Sequence, residues 1–164
     1  MSIPSTAVVL RRCIKWLIVA CVLGLICYGV LVVVQQLMRR PISLSVGRAT
    51  LAAEVVQKPA ELKKGLAGRK KLEPQQAMLF VFPQDKRWMM WMKGMDIPLD
   101  ILWLDANKKV IHIETDVQPD GEPHKEYQPD KPARYVVEAA AGVVKRYGIR
   151  VGQSATFELS EAAP

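Results

Sequence analysis

Residues 99–117 read LDILWLDANKKVIHIETDV and decide the fold class. Leu99 to Asp105 form an apolar run of strand length, and Val110–Val117 alternates apolar with polar side chains, the period of a half-buried strand. Asp105-Ala106-Asn107-Lys108 lies between them, and its Asp and Asn favour a tight turn. The stretch therefore predicts a β-hairpin with one buried strand.

Similar short runs flank the hairpin on both sides. Strands are predicted over 42–46, 49–56, 78–82, 88–93, 134–138 and 154–159, and short helices over 60–69 and 139–147. Residues 118–132 hold four prolines and four acids without an apolar period, which predicts a long loop that is either functional or mobile. Short strands with two small helices predict an α+β domain that is mainly antiparallel and barrel-like.

The N-terminal part of the chain has a different character. Residues 16–34 carry no charge and would reach roughly 28 Å as a helix, so we expect a transmembrane anchor over 16–38. A basic tail over 1–15 precedes it, and a linker with the first strand over 39–47 leads to a β-rich domain over 48–160. The expected localisation is a single-pass membrane protein with the domain on the extracytoplasmic side.

Two processing alternatives compete with an uncleaved anchor. A cleaved secretory signal would need a shorter apolar core and a small-residue cleavage site, and no such site follows the run. The sequence before Cys21 resembles a lipoprotein box, but the apolar core ahead of Cys21 is short and apolar sequence continues after it. The anchor is therefore preferred.

Charge and cysteine placement exclude several function classes. Five of the 23 Lys and Arg residues lie in 1–40, so 18 cations face 16 acids over 41–164, a formal charge of +2. We expect no nucleic-acid partner, because phosphate binding needs clustered cations on the folded domain. The three cysteines are at positions 13, 21 and 27, which excludes a disulfide framework, a zinc–thiolate site and a catalytic thiol in the domain.

An ordered series of motifs runs through the domain. The motifs are Gly65-Leu66-Ala67-Gly68-Arg69, Ala77–Phe82 (AMLFVF), Trp91-Met92-Lys93, Ile97–Ile101 (IPLDI), Leu104-Asp105, Tyr135-Val136-Val137-Glu138 and Ala141-Gly142. Together they resemble the domain-of-unknown-function 192 family over about residues 48–158. The resemblance implies a small β-rich domain, often carried behind a signal peptide or membrane anchor, with no assigned biochemical role.

The chain departs from that family's pattern near its strongest motif. Ala67 stands where Met is usual, Ala77 where Gly is usual, and Gly94-Met95 replaces the usual Asn-Thr. The last change removes two hydrogen-bonding side chains next to Lys93. A polar site formed there would be altered or absent in this chain.

Asp100 is the first candidate for chemistry. As a strand residue it shares a face with Leu102 and Leu104, and a carboxylate on an apolar face is costly unless it is paired or hydrogen-bonded. Lys93 could supply the opposite charge. The preferred alternative is structural, with Asp100 accepting hydrogen bonds from the turn over 94–98.

His112, Glu114 and Glu138, with Asp116 nearby, are the second candidate set. A histidine and carboxylates on adjacent strand faces could serve acid–base catalysis or bind a divalent metal. Their spacing matches no established ligand motif, and a solvated rim is the commoner role for such a face. No cofactor is expected.

The stretch over 88–95, WMMWMKGM, holds four of the seven methionines. Met90 and Met92, with His112, are weak candidates for a Cu(I) site, since soft sulfur ligands select that ion. Strand alternation lets only half of these side chains converge, so core packing is the preferred interpretation.

The favoured function is a non-enzymatic binding or envelope-associated module. The ligand-binding candidates are Arg69, Trp91, Lys93, Asp100, Asp105 and Glu138. A basic run, Lys63, Lys64, Arg69, Lys70 and Lys71, could contact a lipid headgroup or an envelope polymer, and a protein partner is also open. The alternatives are a hydrolase that uses Asp100, His112 and Glu114 with Lys93, and a Cu(I)-binding protein.

Overall fold

The computed structural model describes residues 6–37 and 41–159, with side chains described over 15–31 and 41–159. The chain divides into two compact units, 1–40 and 41–164. The elements in chain order are α1 (Thr6–Leu37), β1 (Ile42–Val46), β2 (Ala49–Val56), α2 (Pro59–Lys64), β3 (Gln76–Lys86), β4 (Met90–Trp91), β5 (Leu99–Leu104), β6 (Val110–Val117), β7 (Glu126–Tyr127), β8 (Ala133–Ala140), α3 (Val143–Tyr147) and β9 (Ala155–Thr156).

The prediction of a transmembrane anchor over 16–38 is wrong. Within the described part of the chain, no helix combines the length and apolar character that crossing a membrane requires. The predicted localisation as a single-pass membrane protein with an extracytoplasmic domain is wrong for the same reason. Residues 1–5 of the predicted tail, Met38 and the start of the linker lie outside the described residues.

The second unit is built on a seven-stranded sheet in the order β6-β5-β8-β3-β2-β1-β9. All neighbours are antiparallel except β2 and β3, which run parallel. The sheet curls until its two edges meet: the N–H of Gly152 donates to the carbonyl of Val110, and the N–H of Ala155 donates to that of Lys108, each at 2.8 Å. The predicted barrel-like, mainly antiparallel β architecture is confirmed.

The hairpin predicted from 99–117 is confirmed. Strands β5 and β6 pair with Trp103 opposite His112 and Leu102 opposite Ile113. In the turn, Oδ1 of Asp105 accepts hydrogen bonds from the N–H groups of Asn107 (2.9 Å) and Lys109 (2.8 Å). The side chain of Asp105 therefore stabilises the turn by accepting hydrogen bonds from the backbone N–H groups of the turn.

Several predicted elements are shorter than the sequence suggests, among them the strand predicted over 154–159, which contracts to β9. The helix predicted over 60–69 ends at Lys64, because Gly65 adopts φ 49° and ψ −135°. The helix predicted over 139–147 covers only α3, because β8 continues through Ala140 beside β5. The strand predicted over 88–93 contracts to β4, which pairs with β7 from the long loop over 118–132.

Two hydrophobic clusters cover the two faces of the sheet. The first lies inside the curl, around Leu44, Leu51, Leu79 and Leu102, and includes the α3 residues Val143 and Val144. The second lies on the other face, where α2 and the segments 65–72 and 88–97 pack over the sheet, and includes Phe80, Trp103 and Val136 with Met90 and Met92. The candidate site lies in this second cluster.

Candidate functional site

Glu138 lies in the middle of the sheet. Its strand, β8, runs between β3 and β5, and Glu138 is opposite Met78 on one side and Ile101 on the other. Because side chains alternate along a strand, Glu138 projects to the same face as Val136, into the second cluster. A carboxyl group therefore stands where the pattern calls for an apolar side chain.

Gly65 forms the roof over that carboxyl group. Its φ of 49° lies in the left-handed region, and the turn after α2 brings its backbone close to the sheet. A Cβ at this position would lie 3.2 Å from Cζ of Phe80 and 3.7 Å from Oε2 of Glu138. Glycine is therefore required here both by conformation and by space.

A cavity of about 100 Å³ opens between this turn and the Met-rich stretch, with Glu138 among its lining residues. At about 30 Å³ per water molecule it has room for roughly three waters, or for one small organic group. Its walls are mostly apolar, formed by Leu62, Leu66, Phe80, Phe82, Met89, Met90, Trp91 and Met95. Trp91 is 42 % exposed, so the cavity is open to solvent on that side.

The carboxyl group of Glu138 has an unused hydrogen-bonding atom. Only 4 % of the residue is exposed, and Oε2 accepts no hydrogen bond from any residue that the structure describes. Burial in this apolar setting raises the pKa of Glu138 to about 8, because the charged form loses its hydration. A buried polar atom without a partner is destabilising, so its presence beside a cavity indicates a place for a ligand.

Lysines line the mouth of the cavity. Lys63, Lys64 and Lys93 are exposed and contribute to its lining. The ammonium group of Lys93 lies 3.6 Å from Oε1 of Glu122 in the long loop. The mouth is therefore cationic, while the only described acid in the lining is the buried Glu138.

The long loop is ordered beside this mouth. The ring of His124 lies between Oδ1 of Asp120 (2.8 Å) and Oε1 of Glu122 (3.1 Å). The N–H of Lys125 and the ring of His124 bond to Asp120 and hold the pKa of that carboxyl group below its ordinary value. These contacts join residues within the loop, while the β4–β7 pairing and the contact of Lys93 with Glu122 connect the loop to the Met-rich stretch over 88–95.

Asp100 is fully buried on the opposite face of the sheet. Its Oδ1 accepts a hydrogen bond from the N–H of Asp116 (2.9 Å), and its Oδ2 accepts one from the N–H of Val144 (2.8 Å). The donors are thus β6 and α3, not the turn over 94–98 that the sequence suggested. Asp100 joins three elements, and the structure does not bring it together with Lys93.

His112 and Glu114 pair with each other on β6, with Nε2 of His112 3.0 Å from Oε1 of Glu114. Glu114 and Glu138 both lie opposite Ile101, one on each side, so their backbones are two strand spacings, or about 10 Å, apart. The ring of His112 meets the ring of Trp103 edge-on at 5.2 Å. The structure therefore unites His112 with Glu114 but separates the pair from both Glu138 and Asp100.

Met90 and Met92 pack into the second cluster, and Met92 is fully buried. Trp88 stacks on Phe82 with ring centroids 4.1 Å apart, and the indole N–H of Trp103 donates to the carbonyl of Trp88 at 2.8 Å. Among the residues described, His, Cys, Asp and Glu form no group of three that could hold a metal ion. The Cu(I) alternative stays a prediction.

Most of the basic run is paired with acids. Arg69 donates to Glu54 at 2.8 Å, Lys70 lies 3.0 Å from Asp96, and Lys71 lies 2.7 Å from Glu73. Lys63 and Lys64 remain as the members of the run that line the cavity. The predicted envelope-polymer, lipid-headgroup and protein partners stay predictions.

Two of the departures from the family pattern meet beside this site. A Cβ on Gly94 would lie 3.6 Å from Cβ of Ala67, and the carbonyl of Gly94 accepts a hydrogen bond from the N–H of Gly68 at 2.9 Å. Gly94 has φ 70°, a conformation that asparagine also tolerates. Residues 67 and 94, which are both small in this chain, therefore lie next to each other in the fold.

Sequence reasoning included Glu138 among the ligand-binding candidates but missed the cavity around it. Phe80 and Gly65 lie 58 or more residues before Glu138 in the chain, and only the pairing of β3 with β8 brings them together. The sequence signal for a buried polar residue was local: Glu138 is the single acid in residues 135–140 (YVVEAA), an otherwise apolar strand pattern.

The fold and the site define a small barrel-like β domain with a buried carboxyl group at an open, mostly apolar cavity. The model of a family described as "Uncharacterized ACR", domain of unknown function 192, matches residues 42–157, and the chain belongs to that family. A UPF0127 protein of Pyrococcus furiosus is 29 % identical over 90 residues, which cover 54 % of this chain and 71 % of that protein.

Two crystal structures share the fold. One, from Sinorhizobium meliloti 1021, is described as that of a candidate transcription regulator; it has a TM-score of 0.65 and 29 % identity, over 71 % of this chain and 92 % of that one. The other is a protein of unknown function from Novosphingobium aromaticivorans, with a TM-score of 0.66 and 28 % identity, over 70 % of this chain and 84 % of that one.

Proposed function

We propose that the protein is a binding module whose cavity takes a small primary amine, with the ammonium group directed at Glu138. The observation that carries this proposal is Oε2 of Glu138, a buried acceptor without a hydrogen-bond partner among the described residues. A ligand that donates a hydrogen bond to this atom removes the energetic penalty of leaving it unsatisfied.

A cation suits the cavity better than a neutral donor. An ammonium group makes a charge-assisted hydrogen bond to a carboxylate, about twice as strong as a neutral one. Phe80, Trp91 and three methionines are also among the lining residues, and aromatic rings attract cations. A short alkyl chain would fill the apolar space between Glu138 and the mouth.

The test is a titration of the full chain with n-butylammonium, followed by NMR of methionine methyl groups. Met89, Met90 and Met95 line the cavity and report directly on its occupancy. At about pH 9, above the pKa of Glu138, we expect saturable shifts at these methyl groups. Glu138→Gln should weaken binding by roughly tenfold to a hundredfold, since a hydrogen bond to a charged group contributes about 1.5–3 kcal/mol.

Glu114→Gln is the matched control, because Glu114 lies on the same sheet face but pairs with His112. This variant should bind n-butylammonium as the wild type does. The absence of saturable shifts in the wild type, or an equal loss in both variants, would contradict the proposal.

The raised pKa of Glu138 favours acid–base catalysis as a second candidate function. A carboxyl group with a pKa of about 8 holds a proton that it can exchange near neutral pH. Turnover found in a broad hydrolase screen, lost in Glu138→Gln and kept in Glu114→Gln, would favour an enzyme. The hydrolase built on Asp100, His112, Glu114 and Lys93 stays a prediction.

A further inference from the structure

We propose that the ligand is a small ω-amino acid: its ammonium end reaches Glu138, and its carboxylate stays at the mouth beside Lys63 and Lys64. This inference rests on the proposed function and names the ligand class of the same cavity. It begins from the arrangement of charge, with an acid at depth and cations at the entrance.

The two ends of the cavity differ in charge and in exposure to solvent, and this difference determines which end of the ligand enters first. Glu138 is 4 % exposed, so a charge next to it is little screened and interacts strongly. Lys63 and Lys64 are exposed on α2, where water and salt weaken their interactions. The inward contact therefore supplies most of the affinity, and the outward contact selects between ligands.

The other lysines near the mouth are less available than Lys63 and Lys64 to bind the carboxylate of the ligand. Lys93, the third lysine of the mouth, already has Glu122 at 3.6 Å. Lys70 and Lys71 do not line the cavity, and each has its own acidic neighbour. A simple alkylammonium ion must pass the cationic mouth without any compensating anion, whereas an ω-amino acid brings its own.

Three probe compounds distinguish the contribution of the ammonium group to binding from that of the carboxylate. They are 5-aminopentanoate, n-butylammonium, which lacks the carboxylate, and pentanoate, which lacks the ammonium group. At low ionic strength and about pH 9, we expect 5-aminopentanoate to bind the full chain about two- to fivefold more tightly than n-butylammonium, as expected for an exposed ion pair. Pentanoate should bind more weakly than either.

Charge changes at the mouth should remove this preference. In the double variant Lys63→Gln/Lys64→Gln, the two amines should bind about equally, because 5-aminopentanoate loses the contacts that its carboxylate makes at the mouth. High salt should have the same effect on the wild type, which tests the inference without any mutation. Lys70→Gln/Lys71→Gln is the control and should keep the preference.

The outcomes distinguish this inference from the proposed function. Equal affinities for both amines in the wild type at low salt, or pentanoate binding as tightly as 5-aminopentanoate, would overturn the ω-amino acid assignment. In the first case the amine-binding function stands. If neither amine binds, the proposed function fails, and this inference fails with it.

Discussion

At the scale of single residues, Asp100 and Glu138 show two ways of burying a carboxyl group in one sheet. Both oxygens of Asp100 accept backbone hydrogen bonds, from Asp116 and Val144, so its buried acceptors are satisfied. Glu138 has an oxygen without a partner among the described residues, and its pKa is raised to about 8. Asp100 therefore serves the fold, while Glu138 destabilises it unless something binds.

Glu138 should make the protein less stable as the pH rises. Its pKa is 4.5 in the unfolded chain and about 8 in the folded one, so its contribution is fully present below about pH 4.5 and is lost as the pH rises to about 8. The shift corresponds to at most about 5 kcal/mol. Urea unfolding at several pH values should show a steeper loss of stability for the wild type than for Glu138→Gln; parallel curves would contradict the burial of an unpartnered carboxyl group.

Asp100→Ala should destabilise the fold. The change leaves two backbone N–H groups without their acceptors, and each such buried group costs about 1–3 kcal/mol. Asp105→Ala is the matched control, because Asp105 also accepts two backbone hydrogen bonds but lies in an exposed turn. We expect a loss of roughly 2–5 kcal/mol for Asp100→Ala and about 1 kcal/mol or less for the control, measured by denaturant unfolding. Similar losses in the two variants would mean that Asp100 is not a structural residue.

At the scale of elements, the site depends on the turn that follows α2. Gly65 ends the helix with a positive φ and lies against Phe80, which places the lysines of α2 above Glu138. The helix itself has no fully buried residue; its position depends on the half-buried Leu62, which packs against the second cluster, on this turn, and on Leu66, which is 1 % exposed. A short surface helix is thus held by one of its own leucines and by the residues immediately after it.

Gly65→Ala should disturb both stability and binding. The added Cβ would stand 3.2 Å from the ring of Phe80, in a conformation that L side chains rarely adopt. Gly68→Ala is the control, because Gly68 also has a positive φ but no atom lies within 4 Å of its would-be Cβ. We expect a loss of about 1 kcal/mol at Gly68 and about 2–4 kcal/mol at Gly65, with n-butylammonium binding lost only at Gly65. Equal losses with binding kept would show that Gly65 does not form the roof of the cavity.

Most elements could be predicted from local sequence patterns, whereas the bounds of those that depend on long-range pairing could not. The strands of 42–46, 49–56 and 110–117 match the observed bounds because alternation and turn residues are local signals. The extent of β8 depends on pairing with β3 and β5, and the pairing of β4 with β7 joins residues about 36 positions apart. The cavity depends on the same long-range pairings, which is why its walls were not predicted from the sequence.

At the scale of the whole domain, closure of the sheet joins segments that are far apart in sequence. The bonds from Gly152 and Ala155 to Val110 and Lys108 connect the C-terminal end of the domain to the β5–β6 hairpin. This hairpin also carries Asp100, whose hydrogen bond from Val144 attaches α3. The closed sheet supports the face on which Glu138 lies.

The closing hydrogen bonds should be as persistent as those of the central strands. Amide hydrogen exchange of Gly152 and Ala155 should be slow, because opening them requires separating the edges of the sheet. The amide of Gly121, in the exposed part of the long loop, is the comparison and should exchange fast. Exchange of Gly152 and Ala155 as fast as that of Gly121 would mean that the sheet is open in solution.

The central claim is that Glu138 is a buried carboxyl group that binds the ammonium group of a ligand. The most direct measurement is an NMR pH titration of its side-chain carboxyl carbon in the full chain, with and without n-butylammonium. We predict a midpoint near pH 8 in the free protein and a lower one with the amine, because a neighbouring cation favours the ionised form. A midpoint near 4.5 in the free protein, or one that the amine leaves unchanged, would contradict the claim.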